Sequence, residues 1–384
     1  VPGTTAQGAS LRRRMFGDRR LRRTLLSLLI TIILLFLIGS VGPRLLIFFT
    51  RPIPLDQDYS FSTTPVTGIV AGQPHSISST LTVHTAAGSK SKYTQVSTQR
   101  TIEADGSPIL QLEDQVDLIR SSAFPTPEPT SHTSLVLPTA GITLSSENFI
   151  REGLQYFMPS STERRSFNYF DPLTQRPTPL DYVDKDQHAG LRAYLFQQDV
   201  EPVDLVESAI RSHTQPTKEG DVITEDQRPH LSQLDPQLQQ DILKLSRTEV
   251  TSNLYHADEL QHRGLSADSA LTVHPYYTVD RKVWVEPRSG KIVDVSENVL
   301  IVLANSDDSA AQDAQAWRAG KTINPARVVF SAPLHWDEHT VSQQAQLAAD
   351  RVHTLRILQW VAVLSTTAMV ICGIAMVVVR VKGH

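Results

Sequence analysis

Two uncharged apolar runs, one near each end, constrain this chain more than anything between them. Thr24 to Val41 (TLLSLLITIILLFLIGSV) matches the ~17–25 residues that a helix needs to cross hydrocarbon. Gly42-Pro43-Arg44 interrupts it, and Leu45 to Phe49 continue the apolar character. Ile357 to Val379 is the second run; it ends in Arg380 and Lys382 and carries Trp360 near its start, as an interfacial anchor would. A soluble core helix explains either run less well, because both are long and flanked by basic residues. A cleaved signal peptide is the other competitor for the first run. That run exceeds a typical signal core, and no small-x-small site precedes Arg51-Pro52-Ile53-Pro54, so an uncleaved anchor is expected.

Charge is segregated along the chain. The formal total is -4, yet the first 23 residues hold seven Arg against Asp18, which makes +6, and Arg380 to His384 add +2, leaving -12 between them. An acidic middle excludes a nucleic-acid-binding core, which needs clustered positive charge. The positive-inside rule then predicts a plasma-membrane protein with both termini cytoplasmic and residues 51–356 outside. The expected division is a basic tail at 1–23, a span at 24–49, an extracytoplasmic domain at 50–336, a stalk at 337–356, a span at 357–379 and a tail at 380–384. A single cysteine, Cys372, excludes an internal disulfide framework and any CxxC site.

The middle reads as mainly β. Ser78 to His84 alternates as a strand, and Tyr93 to Glu103 runs into Asp105-Gly106, a strong hairpin signal. The clearest hairpin is Tyr276 to Val302, turning at Arg288-Ser289-Gly290; on its first strand Val279, Arg281, Val283 and Val285 share one face. Gly290 is expected at positive φ, so that Ala there would cost about 1 kcal/mol. Helices are expected after Asp235-Pro236 and over Ser306 to Ala319, ended at Gly320. Ala123 to Pro138 reads as a long surface loop. Val341, Ala345, Ala348, Val352 and Leu355 recur at helical spacing and run into the second apolar stretch. One helix from Thr340 to Val379 would be near ~60 Å long, its apolar face packed on the same chain.

Catalytic chemistry is sparse. His335-Trp336-Asp337-Glu338-His339 fits H-x-x-E-H, but Pro333 and the strand-like Arg327 to Phe330 before it place the pentapeptide at a helix start instead of on a zinc-binding helix. His256 and His262 flank Asp258 and Glu259 at a spacing unlike any common ligand set, and read as surface polar residues. No nucleophile elbow, P-loop or dinucleotide fingerprint occurs, so neither an enzyme nor a cofactor or metal is expected.

The stretch Tyr156-Phe157-Met158-Pro159, Arg164 to Asp171 (RRSFNYFD), Tyr182 and Gly190 to Phe196 (GLRAYLF), with Tyr276 to Val293, resembles the actinobacterial PorA-type family, long a family of unknown function. The layout of one span at each end resembles it too. The resemblance implies an elongated β-barrel with enclosed cavities and a protruding helix, and a link to assembly of the lipoglycans lipomannan and lipoarabinomannan in mycobacteria and corynebacteria. It brings no catalytic residues. A porin role is not expected on this reading, because an outer-membrane pore needs a lipid-facing belt, whereas Lys282, Glu286, Asp294 and Glu297 are polar. The expected function is a membrane-anchored, extracytoplasmic, lipid- or glycolipid-binding protein supporting lipoglycan biogenesis. Its expected partners are membrane lipids or a glycolipid intermediate and envelope-biosynthesis proteins. The alternatives are a scaffold subunit of a glycosyltransferase or transporter, and an enzyme acting on lipid-linked sugars. Phe167, Tyr169, Tyr194, Phe196 and Trp284 are the candidates to line a ligand cavity, because alternate strand residues face a barrel interior.

Overall fold

A computed structural model of the chain describes residues 22–45, 53–90, 92–213, 216, 218 and 230–382. The basic run through residue 21, the apolar continuation at 46–49 and residues 383–384 lie outside this set. The chain divides into two units: Val1–Pro52 with Asp350–His384, and Ile53–Ala349.

The Ile53–Ala349 unit is built on a sheet that curls into a half-barrel. In chain order its strands are β1 (Gln57–Ser62), β2 (Val66–Val70), β3 (Gln73–Ala87), β4 (Tyr93–Ala104), β5 (Ser107–Ile119), β6 (His132–Leu137) and β7 (Ile142–Ser145). The second half supplies β8 (Phe167–Asp171), β9 (Arg176–His188), β10 (Leu191–Asp204), β11 (Arg247–Val250), β12 (Ala270–Glu286), β13 (Lys291–Ala304) and β14 (Val328–His335). The spatial order is β7-β6-β5-β4-β3-β2-β14-β13-β12-β10-β9-β8, with β1 added on β3 and β11 on β12. Every pairing between these strands is antiparallel.

Short turns make this meander possible. Ala71-Gly72, Asp105-Gly106 and Ala189-Gly190 all place both residues at positive φ, the turn whose twist matches flanking antiparallel strands. The β12–β13 hairpin turns as expected. Gly290 has φ +71°, and a Cβ there would also lie 2.5 Å from the Pro159 carbonyl oxygen and 2.6 Å from that of Met158. The position therefore excludes a side chain by contact as well as by conformation. The region 123–138 is not all loop. Its end forms β6, because Thr133, Leu135 and Leu137 present an alternating face that its Pro- and Ser-rich start conceals.

The helices follow capping chemistry. Asp235 caps α3 (Pro236–Leu243), and Ser306 caps α6 (Asp307–Arg318). The sequence did not reveal α2 (Leu205–Arg211), which Asp204 caps by accepting from the N–H groups of Val206 and Glu207. The turn α4 (Thr251–Leu254) and helix α5 (Ala257–Arg263) cover one end of β12. His256 precedes α5 in a capping box with Glu259; the side chain of His262 lies outside the described set. Asp337 starts the last helix, α7 (Glu338–Lys382), by accepting from Thr340 N–H at 2.6 Å. His335 ends β14 while His339 lies in α7, so the two histidines of H-x-x-E-H belong to different elements. Ala348 packs against Ala193 and Val293, so this part of the amphipathic stripe lies on its own sheet.

The other unit contains α1 (Arg22–Leu45) and the apolar part of α7, among the described residues the two helices long and apolar enough to cross a membrane. Leu37–Val41 winds as a π-helix just before Pro43. The wider turn is a way to keep backbone groups paired next to a residue that lacks an N–H. Gly39 is buried against Ser365: a Cβ on Gly39 would come within 2.3 Å of the Ser365 Cβ. Only glycine permits this approach of the two backbones.

Candidate functional site

The inner face of the half-barrel is apolar at both ends and charged across the middle. One cluster packs Val96, Val116, Phe167, Phe196, Val283 and Val285; another packs Ile102, Leu112, Val200, Val279, Val299 and Leu334. Between them five strands place a charged or amide residue where the alternation calls for an apolar one. These are Arg100 on β4, Asp114 on β5, Gln198 on β10, Arg281 on β12 and Glu297 on β13. Register aligns three of them, since Gln198 lies opposite Arg281 and Arg281 opposite Glu297.

These residues satisfy one another. Arg281 donates from Nε to Glu297 Oε1 at 2.6 Å, from Nη2 to Asp171 Oδ2 at 3.1 Å, and from Nη1 to the Gln198 side-chain oxygen. Arg100 pairs with the other oxygen of Glu297, and Tyr277 donates to Asp171 Oδ2 at 3.0 Å. Burial alone would raise the Glu297 carboxyl, but Arg100 and Arg281 outweigh it and hold the group at about 2. Burial also pushes the Tyr277 hydroxyl well above its ordinary range. A second set joins it from the β5 side. Arg151 pairs with Asp114, Tyr156 donates to Asp114 Oδ2 at 2.6 Å, and Thr98 donates to the Tyr156 oxygen at 3.0 Å. A paired belt of this kind holds the interior in one arrangement, and loss of any partner strands a buried charge.

An apolar cavity of about 260 Å³ lies beside this belt, with Ile102, Leu112, Leu135, Leu173, Val299 and Phe330 in its wall. None of the five sequence candidates is in that wall. Phe167 and Phe196 are buried against each other, with ring centroids 6.0 Å apart, and Tyr194 meets Tyr182 edge-on at 5.5 Å. Tyr169 lies 5.5 Å from the Arg281 guanidinium. Trp284 stands on the opposite face of β12, stacked on His188 at 4.4 Å and donating to Asp186 Oδ2 at 2.8 Å. The structure thus brings four of the five to one interior and leaves Trp284 outside it. The charged belt went unread in the sequence, although a signal existed. Arg281 shares a face with Val279, Val283 and Val285, and a lone arginine on an apolar strand face requires a buried partner. Among the described residues no group of three or more His, Cys, Asp or Glu side chains could hold a metal ion.

The family model described as "Porin PorA" matches residues 26–380. A protein named Porin PorA from Corynebacterium resistens is 29% identical over 249 residues, covering 63% of this chain and 59% of its own length. One of the same name from Corynebacterium amycolatum is 26% identical over 245 residues, covering 64% and 58%. The chain therefore spans less than two thirds of the curated relatives it matches.

These findings overturn four expectations. A lipid- or glycolipid-binding role in lipoglycan biogenesis, its scaffold and enzyme alternatives, and partners drawn from membrane lipids or envelope-biosynthesis proteins all give way, because the matching family and both relatives carry the name of a channel former. The placement in the plasma membrane with cytoplasmic termini gives way with them, since porins serve an outer permeability layer. The error lay in equating a porin with a lipid-facing barrel. Outward polar strand residues such as Lys282 and Asn298 speak against a lipid-facing strand belt, not against a channel.

Proposed function

The chain belongs to the Porin PorA family, and we propose on that premise that it acts in passive solute permeation, as a helix-anchored and non-enzymatic channel subunit. Family membership across residues 26–380 is the observation that carries this reading. The geometry supports a particular way of building the channel. Clusters of packed apolar side chains, a paired charge belt and an apolar cavity occupy the sheet interior, so a water path needs walls contributed by more than one copy. The apolar helices α1 and α7 suit contact with hydrocarbon, and the β unit suits water.

Reconstitution of the full chain into planar bilayers tests this. Discrete conductance steps should appear, with an onset that rises more steeply than linearly with protein concentration. A membrane that stays at the lipid-only baseline at every protein-to-lipid ratio, with correctly folded protein incorporated, would contradict it.

A further inference from the structure

Hairpin register sets a second site on the outer face of the sheet. Gln95 on β4 lies directly opposite Asp117 on β5, and Gln115 is two residues before Asp117, so all three share a face. Their neighbours Val96, Val116 and Leu118 point into the core. An outward aspartate on a strand is ordinarily solvated, yet Asp117 is only 2% exposed. The segment after β5 folds over it: Thr126 N–H donates to the Asp117 carbonyl at 2.9 Å, and Asp117 N–H donates to Thr130 Oγ1 at 3.3 Å. One carboxylate oxygen, Oδ2, accepts from Ser89 N–H at 3.1 Å. The other, Oδ1, is buried without a hydrogen-bond partner.

Asp117 lines a cleft of about 460 Å³ together with Ser89, Gln95, Gln115, Thr130 and Asn148. That size falls in the range of small-molecule sites and far exceeds a bare ion. The wall offers a carboxylate acceptor, three side-chain amides that both donate and accept, and two hydroxyls. Among the described residues that line it there is no cationic side chain, so an anion would meet the carboxylate with nothing in the wall to balance it. A divalent cation would find one carboxylate, whereas calcium takes six to eight oxygens. An alkylammonium would use the acceptors and strand the amide N–H donors. A hydroxyl donates and accepts at once, and several on one small frame match the whole wall.

We propose that this cleft binds a small, neutral, polyhydroxylated solute of hexose size, with a hydroxyl donating to Asp117 Oδ1 and others bridging Gln95, Gln115 and Asn148. The site stands apart from the channel reading, and its test does not use conductance.

Titrate D-glucose into the full chain, held in an amine-oxide detergent free of sugar headgroups, and follow saturation-transfer NMR. Saturable binding at millimolar concentration is expected, with at least a tenfold loss in Asp117→Asn and about a threefold loss in Gln95→Ala, both with unchanged melting. Asn retains an acceptor for Ser89 N–H, so the first variant leaves that turn bonded. Absence of saturation at 100 mM glucose in a folded protein would overturn the proposal. So would equal affinity in Asp117→Asn, or saturable binding of calcium chloride or methylammonium in place of glucose.

Discussion

The two units of this chain invert one another. In the helical unit the exposed surface is apolar: Trp360, Leu364, Ile371 and Ile374 on α7, and Leu26, Ile33 and Leu34 on α1. Its buried positions include a glycine and a serine, Gly39 and Ser365. In the β unit the arrangement is reversed. Arg151, Asp114, Arg281 and Arg327 are buried, while Lys282, Asn298 and Asp184 face outward. Each pattern is stable only in its own solvent. Apolar side chains exposed at this density cost about 25 cal/mol per Å² in water and nothing comparable in hydrocarbon. The channel reading proposed above accordingly gives lipid contact to the helices and does not require the strands to touch lipid.

The largest expected effect tests the buried side of this contrast. Arg281→Ala strands Glu297 and Asp171 inside the sheet and should cost roughly 3–5 kcal/mol. Lys282→Ala, one residue along and facing out, should stay within about 0.5 kcal/mol. Denaturant midpoints of the two variants measure the difference, and equal midpoints would break the comparison. Acid probes the same belt without a mutation. The folded Glu297 carboxyl sits at about 2, below its ordinary 4.5. Its contribution is thus present above pH 4.5 and lost as the pH falls toward 2, on the order of 3 kcal/mol in all. Unfolding midpoints at pH 6, 4 and 3 should decline over that window and be flat above it.

The apolar side is tested by placing a charge on the exposed face of α7. Ile371→Arg should disfavour insertion by roughly 2.5–3.5 kcal/mol, read as the share of protein released by alkaline washing of membranes. The same substitution at Val183, an exposed strand position, should release none. A smaller effect is expected at the β12–β13 turn. Gly290→Ala combines positive φ with contact at the Pro159 and Met158 carbonyls, so the loss should be on the order of 2 kcal/mol, above the value that conformation alone implies.

Much of this architecture was legible in residue order. The two apolar helices, the Asp105-Gly106 and Gly290 turns, the caps at Asp235 and Ser306 and the family resemblance all followed from local patterns. What was not legible depends on contacts distant in sequence. The partners of Arg281 come from β8, β10 and β13, and no local pattern announces them. Helix α2 is only about two capped turns with no long periodic stripe. β6 was hidden because its Pro- and Ser-rich approach carries the composition of a loop. Burial of Asp117 likewise required the fold of the segment that covers it. The functional error had a different cause: four polar strand residues were taken as outward-facing, although Glu286 and Glu297 are buried, and were used to reject a channel instead of only a lipid-facing barrel.

Spin-label accessibility in proteoliposomes tests the division of solvents most directly. Cys372, the single cysteine, lies within α7, and a label there should relax with dissolved oxygen and resist a water-soluble nickel complex. In a Cys372→Ser, Val183→Cys variant the label should show the opposite preference, because the proposed reading gives the exposed side of β9 to water. A Val183 label buried in oxygen-rich hydrocarbon, out of reach of nickel, would mean that the strands enter the bilayer, and would contradict the assignment of lipid contact to the helices alone.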